Sequence, residues 1–191
     1  MPVSGILNKE FNPNFKKMKK KIFRYNLKQL KLDLLFGICT ILAIAVDWVS
    51  KYWVVNFVPL NDQIELIPGF LYITHIKNSG GAFGIFQNKI NVFIIVSIIS
   101  ILLIIILKIS MNIKSYTYNL ALGFVLGGAI GNLYDRYFIR EVTDFIYVRY
   151  FAVFNGADSF IVVGFIILFI FLIKNFFGKN SMNESVDKAI R

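Results

Sequence analysis

One cysteine, one histidine and few charges set the first limits on this chain. Cys39 has no partner for a disulfide within the chain, and a lone thiol does not make a metal cluster. Lying inside an apolar run, it is expected to be a buried, inert side chain. His75 has no company at metal-ligand spacing, so zinc chemistry is not supported and neither metal nor cofactor is expected. Charged residues make up 17% of the 191 positions, against about 25% in soluble domains. What fills their place is apolar: 57% of the chain is hydrophobic and its mean hydropathy is +0.64. That is membrane composition, in a length that fits one compact domain.

The net charge of +10 has a local origin. Lys9, Lys16, Lys17, Lys19, Lys20, Lys21, Arg24, Lys28 and Lys31 crowd the N-terminus ahead of the first apolar run. Such a block is the usual cytoplasmic anchor of a membrane protein. No aromatic-basic module or zinc spacing accompanies it, so no nucleic acid is expected as a partner.

Four segments approach the ~20 residues a bilayer requires, at about 32–54, 90–107, 118–138 and 157–173. The first is too long for a cleaved signal and lacks a small-residue cleavage site after it, so it reads as a retained helix. The expected fold class is therefore an all-α membrane protein of four transmembrane helices. Residues 1–31 are expected to form a basic cytoplasmic extension, the first ~28 disordered or on the membrane surface, 32–174 the transmembrane domain and 175–191 a cytoplasmic tail, polar and fraying over 179–191. Lys and Arg concentrate in the N-terminus, around Lys108 and Lys114, and in the tail, which places both termini in the cytoplasm. The connections 55–89 and 139–156 then face outward. Their segments 64–67, 70–74 and 142–150 are rich in β-branched and aromatic residues, with a Pro68-Gly69 turn between the first two, so a small β-rich extracytoplasmic cradle is expected. Residues 78–84, with Gly80, Gly81 and Gly84, read as a loop permitting close backbone approach, or simply a flexible one.

An ionisable group in a membrane helix costs about 2.5–3.5 kcal/mol at mid-span on insertion scales. With the orientation above, Asp47, Lys51, Asn132, Asp135, Arg136 and Asp158 all fall at one depth, near the outer leaflet. A one-sided polar site explains this, whereas an ion or solute path must cross the membrane. Gly128, Asn132 and Arg136 form one helical stripe, and Gly127, Gly128, Ala129 and Gly131 admit another helix or a substrate closely. Asp47 and Lys51 have ion-pair spacing. For Asp47, Lys51 and Asp135, helix-holding pairs and site-supporting roles both stand. Asn155 is placed to cap the fourth helix and Asp158 to answer its dipole. That does not account for Asp144, returned by the same loop to the same depth. Two facing carboxylates share one proton, so one serves as base toward water and the other as acid toward a carbonyl. A Ser50–Lys51 peptidase is disfavoured because adjacent helix positions do not face each other. A non-enzymatic transporter or lipid-binding protein is the alternative of another class.

Five blocks resemble the lipoprotein signal peptidase (signal peptidase II) family, aspartic peptidases, over about 33–174. They are Asp47-Trp48-Val49-Ser50-Lys51; Ile67-Pro68-Gly69-Phe70 followed by Asn78-Ser79-Gly80-Gly81-Ala82-Phe83-Gly84; Gly127-Gly128-Ala129-Ile130-Gly131-Asn132-Leu133-Tyr134-Asp135-Arg136; Val142-Thr143-Asp144-Phe145; and Phe154-Asn155-Gly156-Ala157-Asp158. The resemblance implies a catalytic dyad of Asp144 and Asp158. It implies substrate-binding or site-supporting roles for Asp47, Lys51, Asn78, Gly80, Gly128, Asn132, Asp135, Arg136, Asn155 and Ala157. It further implies cleavage of diacylglyceryl-modified prolipoproteins before the lipidated cysteine, at the outer leaflet of the bacterial cytoplasmic membrane, and inhibition by globomycin. Membrane lipids are expected around the chain, and a monomer suffices because the whole site lies in one chain. Ser79, Gly81 and Gly84 depart from the family's common threonine, alanine and serine, and the basic extension has no counterpart in it.

Overall fold

Between Pro13 and Pro59 the sequence holds no proline and a single glycine, Gly37, and one unbroken helix fills the interval. This is α1, Pro13–Phe57, in a computed structural model that describes residues 13–81, 85–111 and 113–190. Pro13 occupies the first helical position, where its missing N–H costs nothing. At 1.5 Å per residue the 45 residues extend about 67 Å, roughly twice the hydrocarbon thickness. Residues 13–28, expected to be disordered or to lie on the membrane surface, are thus in a helix continuous with the first apolar run. Residues 1–12, which include Lys9, lie outside the described residues.

Strands β1 (Gln63–Ile67) and β2 (Leu71–Asn78) follow, then α2 (Ile90–Met111), α3 (Tyr116–Tyr134), a π-helical turn (Asp135–Ile139), β3 (Val142–Val148) and α4 (Gly156–Ile190). The strands form one antiparallel sheet in the order β1-β2-β3. The third strand stops at Val148, short of the expected 150, because Tyr150 turns the chain with φ 68°. The tail expected to fray continues α4 to Ile190. Ala82, Phe83 and Gly84 of the glycine-rich segment, and Arg191, lie outside the described residues.

The spans 26–57, 90–111 and 156–177 are long and apolar enough to cross a membrane. α3 is less apolar for a physical reason. It packs most extensively against α4 and α1 and touches α2, so much of its surface meets protein rather than lipid. Asn119 and Asn132 are buried on it, and Asn119 donates to the carbonyl oxygens of Ser115 and Ile113 at its own N-terminus. Close approach depends on glycine. A Cβ on Gly127 would lie 2.6 Å from Ala43 Cβ and from the Thr40 carbonyl oxygen of α1. The glycines of this block therefore admit neighbouring helices.

The sheet sits over one end of this bundle. Val54 and Val58 at the end of α1 pack under Phe145, Ile73 and Ile146. His75 is buried there, its Nδ1 2.9 Å from the Val58 carbonyl oxygen, so that nitrogen donates. Its backbone carbonyl accepts from Asn61 N–H, and the Thr74 hydroxyl donates to the Asp62 carbonyl. The histidine thus secures the α1–β1 connection and is a structural residue.

Candidate active site

β3 carries Asp144 and the first turn of α4 carries Asp158, and the intervening loop brings the two together. The amides of Phe145 and Ile146 donate to the Phe154 carbonyl, and Phe154 N–H returns to Ile146 at 3.1 Å. That clamp delivers Asn155, the next residue, beside Asp144.

Asn155 is fully buried and uses all its hydrogen-bonding groups. Its Oδ1 accepts from Asp158 N–H at 3.0 Å, and its own backbone N–H donates to Asp158 Oδ2 at 3.3 Å. This reciprocal pair is a capping box built with Asn and Asp. Its Nδ2 donates to Asp144 Oδ1 at 2.7 Å and to Asn132 Oδ1 at 3.1 Å. Asn132 Nδ2 donates to Asp158 Oδ1 at 2.7 Å. One asparagine therefore caps the helix bearing one acid while holding the other, and a second braces the same helix from α3.

On its other oxygen, Asp144 accepts from Asn78 Nδ2 at 2.8 Å. Asn78 is the last residue of β2 and lies opposite Val142, two residues from Asp144, so the strand period puts both side chains on one face. Gly80 N–H fixes the amide by donating to Asn78 Oδ1 at 2.9 Å. A Cβ on Gly80 would fall 2.8 Å from the Ile85 carbonyl oxygen, so this turn requires glycine. Burial pushes the Asp144 carboxyl up to about 6; the Asn78 and Asn155 donors pull it down, Asp158 nearby pushes it further up, and Lys51 pulls it down.

The remaining polar residues form a second group behind the acids. Lys51 Nζ lies 2.7 Å from both Asp47 Oδ2 and Asp135 Oδ2, all three side chains being buried. Asp47 Oδ1 accepts from Ala157 N–H at 2.7 Å. The triad thus ties α1 to the π-helical turn at the end of α3 and to the first turn of α4. Asp135 pairs with Lys51, while Arg136 lines the Asp144–Asp158 cavity and lies over the Phe93 ring, so these adjacent residues serve opposite sides. Ser50 donates to the Asp47 carbonyl and takes no part with Lys51. Gly128 faces Ala157: a Cβ there would collide with the Ala157 carbonyl oxygen and reach within 2.8 Å of Ile161.

The acids open on a cavity of about 550 Å³ whose walls include Asn78, Arg136, Phe151, Ile161 and Val162. A neighbouring cavity of about 440 Å³ runs from Asn132, Arg136 and Asp158 between α2 and α4 to Leu107. Phe93, Phe151 and Ile161 belong to the site but are ordinary apolar residues in sequence, with no signal to single them out. Among the described residues no cluster of three or more His, Cys, Asp or Glu is placed to hold a metal ion. A polarised carbonyl, a positioned water and two close carboxylates of unequal surroundings are what this arrangement can serve.

Comparison with known proteins agrees with the geometry. Residues 39–174 match the family described as signal peptidase (SPase) II, Peptidase_A8. The chain is 39% identical over 145 residues to a lipoprotein signal peptidase of Enterococcus faecalis (strain ATCC 700802 / V583), covering 75% of this chain and 90% of that one. A solved bacterial membrane enzyme, determined by the in meso method at 2.3 Å resolution, superposes with a TM-score of 0.68 at 32% identity, over 72% of this chain and 87% of that one. A second such structure, at 1.9 Å, gives 0.66 at 33% identity, over 72% and 91%.

Proposed function

This chain belongs to the signal peptidase II family, and from that premise we propose that Asp144 and Asp158 are its catalytic dyad, activating a water against the peptide bond before a lipidated cysteine. The family's reaction is the cleavage of prolipoprotein signal peptides by an aspartic peptidase of a multi-pass bacterial membrane protein, and it is this chain's reaction. That replaces the transporter or lipid-binding alternative.

The observation that carries the dyad is the Asn155 side chain, which bonds Asp144 and caps the helix of Asp158 in the same conformation. Asn78 and Asn132 then each hold the second side of one acid. Groups so fixed lose little freedom when the reacting atoms are assembled. Asp47, Lys51, Asp135, Gly80, Gly128 and Ala157 act through the backbone: they set where β2, α3 and α4 stand. Arg136 lies in the cavity wall, which supports a substrate-facing role for it.

Diacylglyceryl-modified prolipoproteins are the substrates this reading assigns, supported by the apolar walls beside the acids. α3 is the fourth membrane crossing, its polar content accommodated by burial against α1 and α4. Both termini are then cytoplasmic, with the basic extension 1–31 and the tail 175–191 on that side. The acids lie near the outer leaflet, and the sheet is the extracytoplasmic cradle. A monomer is sufficient, because every residue of the site comes from one chain. The test is purified protein in detergent incubated with a diacylglyceryl-modified prolipoprotein, with and without globomycin. A shift to the processed form, blocked by the antibiotic, is expected; an unprocessed substrate at high enzyme concentration would contradict the reading.

A further inference from the structure

Arg140 closes the π-helical turn with φ 67° and ψ 6°, in the left-handed region. A Cβ is crowded there, so a long side chain at such a position is uncommon. An arginine held in that conformation points to work done by its side chain. Its backbone N–H donates to the Asp135 carbonyl at 2.9 Å, a bond that glycine would make equally well. The side chain reaches elsewhere. Its Nη2 donates to Asn91 Oδ1 at 2.7 Å, in the first turn of α2.

Little protein surrounds α2. Of its 22 residues only Ile90 and Ile104 are buried, and it packs on α3 and on the π-helical turn. The placement of its outer end bears on the site. Phe93, two residues beyond Asn91, lies with its ring 5.3 Å from the Arg136 guanidinium. The same ring abuts Gly81, where a Cβ would fall 2.8 Å from it. Arg136 lines both of the cavities that share Asp158 and Ile161. Its Nε is buried with no hydrogen-bond partner among the described residues, so the ring supports the guanidinium where a polar group would otherwise do so.

Resting on the substrate-facing role given to Arg136, we propose that Arg140 and Asn91 form a latch on the outer end of α2 that, through Phe93, holds the Arg136 guanidinium in place for substrate. Both are positioning residues. The acids do not depend on the latch, because their braces come from Asn78 of β2, Asn132 of α3 and Asn155. Its loss is therefore read in substrate binding rather than in turnover. The bond is exposed, so a variant without it stays folded.

Arg140→Gly keeps the backbone conformation, relieves the crowding and removes the side chain. In the purified full-length protein its melting temperature should equal or exceed the parent's. KM for a diacylglyceryl-modified prolipoprotein should rise roughly tenfold, since displacement of a positioned group by about 1 Å costs up to 10²-fold, while kcat is retained. Asn91→Ala should do the same, and the double variant should be no worse than either single one. Asn91→Asp accepts from the guanidinium with charge assistance and should keep KM near the parent's. An unchanged KM in Arg140→Gly, additive losses in the double variant, or a loss confined to kcat would overturn the latch.

A second readout needs no substrate. Nitroxide labels at Ile95→Cys of α2 and Ile166→Cys of α4, both exposed positions, are placed in a Cys39→Ser background. Their distance distribution should broaden in Arg140→Gly, and an unaltered distribution would overturn the latch. A parent protein that processes nothing would instead sink the substrate-facing reading of Arg136, and the distances would still judge the latch.

Discussion

The Asn155 side-chain amide donates to Asp144 at 2.7 Å while its carbonyl oxygen caps the helix that carries Asp158. Removing both functions at once gives the first prediction. Asn155→Ala removes the cap, worth about 0.5–2 kcal/mol, and also both braces. kcat/KM for prolipoprotein processing should fall by about 10² or more, since misplacement of reacting groups by about 1 Å costs that much. A thermal melt measured alongside should fall only modestly. Activity within a few-fold of the parent would show that the asparagine does not align the acids.

Lys51→Met should be far more damaging to stability. It leaves Asp47 and Asp135 buried without their shared cation, a loss of about 3–5 kcal/mol. Cys39, the chain's single cysteine, is free and buried in α1, so a thiol-reactive dye reports unfolding. Combining Lys51→Met with Asp47→Asn and Asp135→Asn should recover part of the lost melting temperature. An unchanged melt for Lys51→Met would mean the triad bears no structural load.

Gly128→Ala tests the approach of α4 to α3. The added methyl meets the Ala157 backbone carbonyl, which cannot rotate away, so the turn bearing Asp158 must move. Processing should drop by about 10², with the protein still in the membrane fraction. Gly37→Ala, which meets nothing within 4 Å, is the matched control and should retain activity.

The pH dependence follows from the raised Asp144 carboxyl. The dyad works with one proton shared between its carboxyls, and the raised carboxyl loses it as pH rises through about 6, so kcat/KM should decline on the alkaline side with a midpoint there or above, substrate excluding further water. The Asn78 amide stabilises the carboxylate. Its removal in Asn78→Ala should therefore move the alkaline limb to higher pH. Folding linkage has the same sign. Asp144 binds its proton more tightly folded than unfolded, so its stabilising contribution is full below the unfolded value of about 4 and is lost as pH rises through about 6. Asp144→Asn should thus gain on the parent in melting temperature across that window. A pH-independent difference would contradict it.

Much of this arrangement is legible from residue types and spacing. The common depth of Asp47, Lys51, Asn132, Arg136 and Asp158 marks a one-sided site, and the structure links them into two adjoining groups. Along the Gly128–Asn132–Arg136 stripe, Gly128 meets Ala157 and Ile161 of α4, Asn132 bonds Asp158 and Arg136 lines the cavity, one face as the helical period requires. Pairings are less legible. Adjacent Asp135 and Arg136 serve Lys51 and the cavity beside Asp144 and Asp158 respectively, a division made by the tertiary neighbours and the π-helical turn that begins at Asp135. The helical extension from Pro13 is marked in sequence only by the absence of breakers, a signal weaker than the charge that dominates the segment. Apolar wall residues such as Phe93 and Phe151 carry no local signal, because only the fold distinguishes a cavity wall from a lipid-facing surface.

The central claim is that two aspartates perform the cleavage together. Its most direct test is the single-turnover rate on a diacylglyceryl-modified prolipoprotein for purified Asp144→Asn and Asp158→Asn, each confirmed as membrane-inserted and folded by its melt. The account predicts a loss of about 10³-fold or more in each, and little further loss in the double variant, since the acids act as a unit. Parent-like cleavage by either single variant would contradict it.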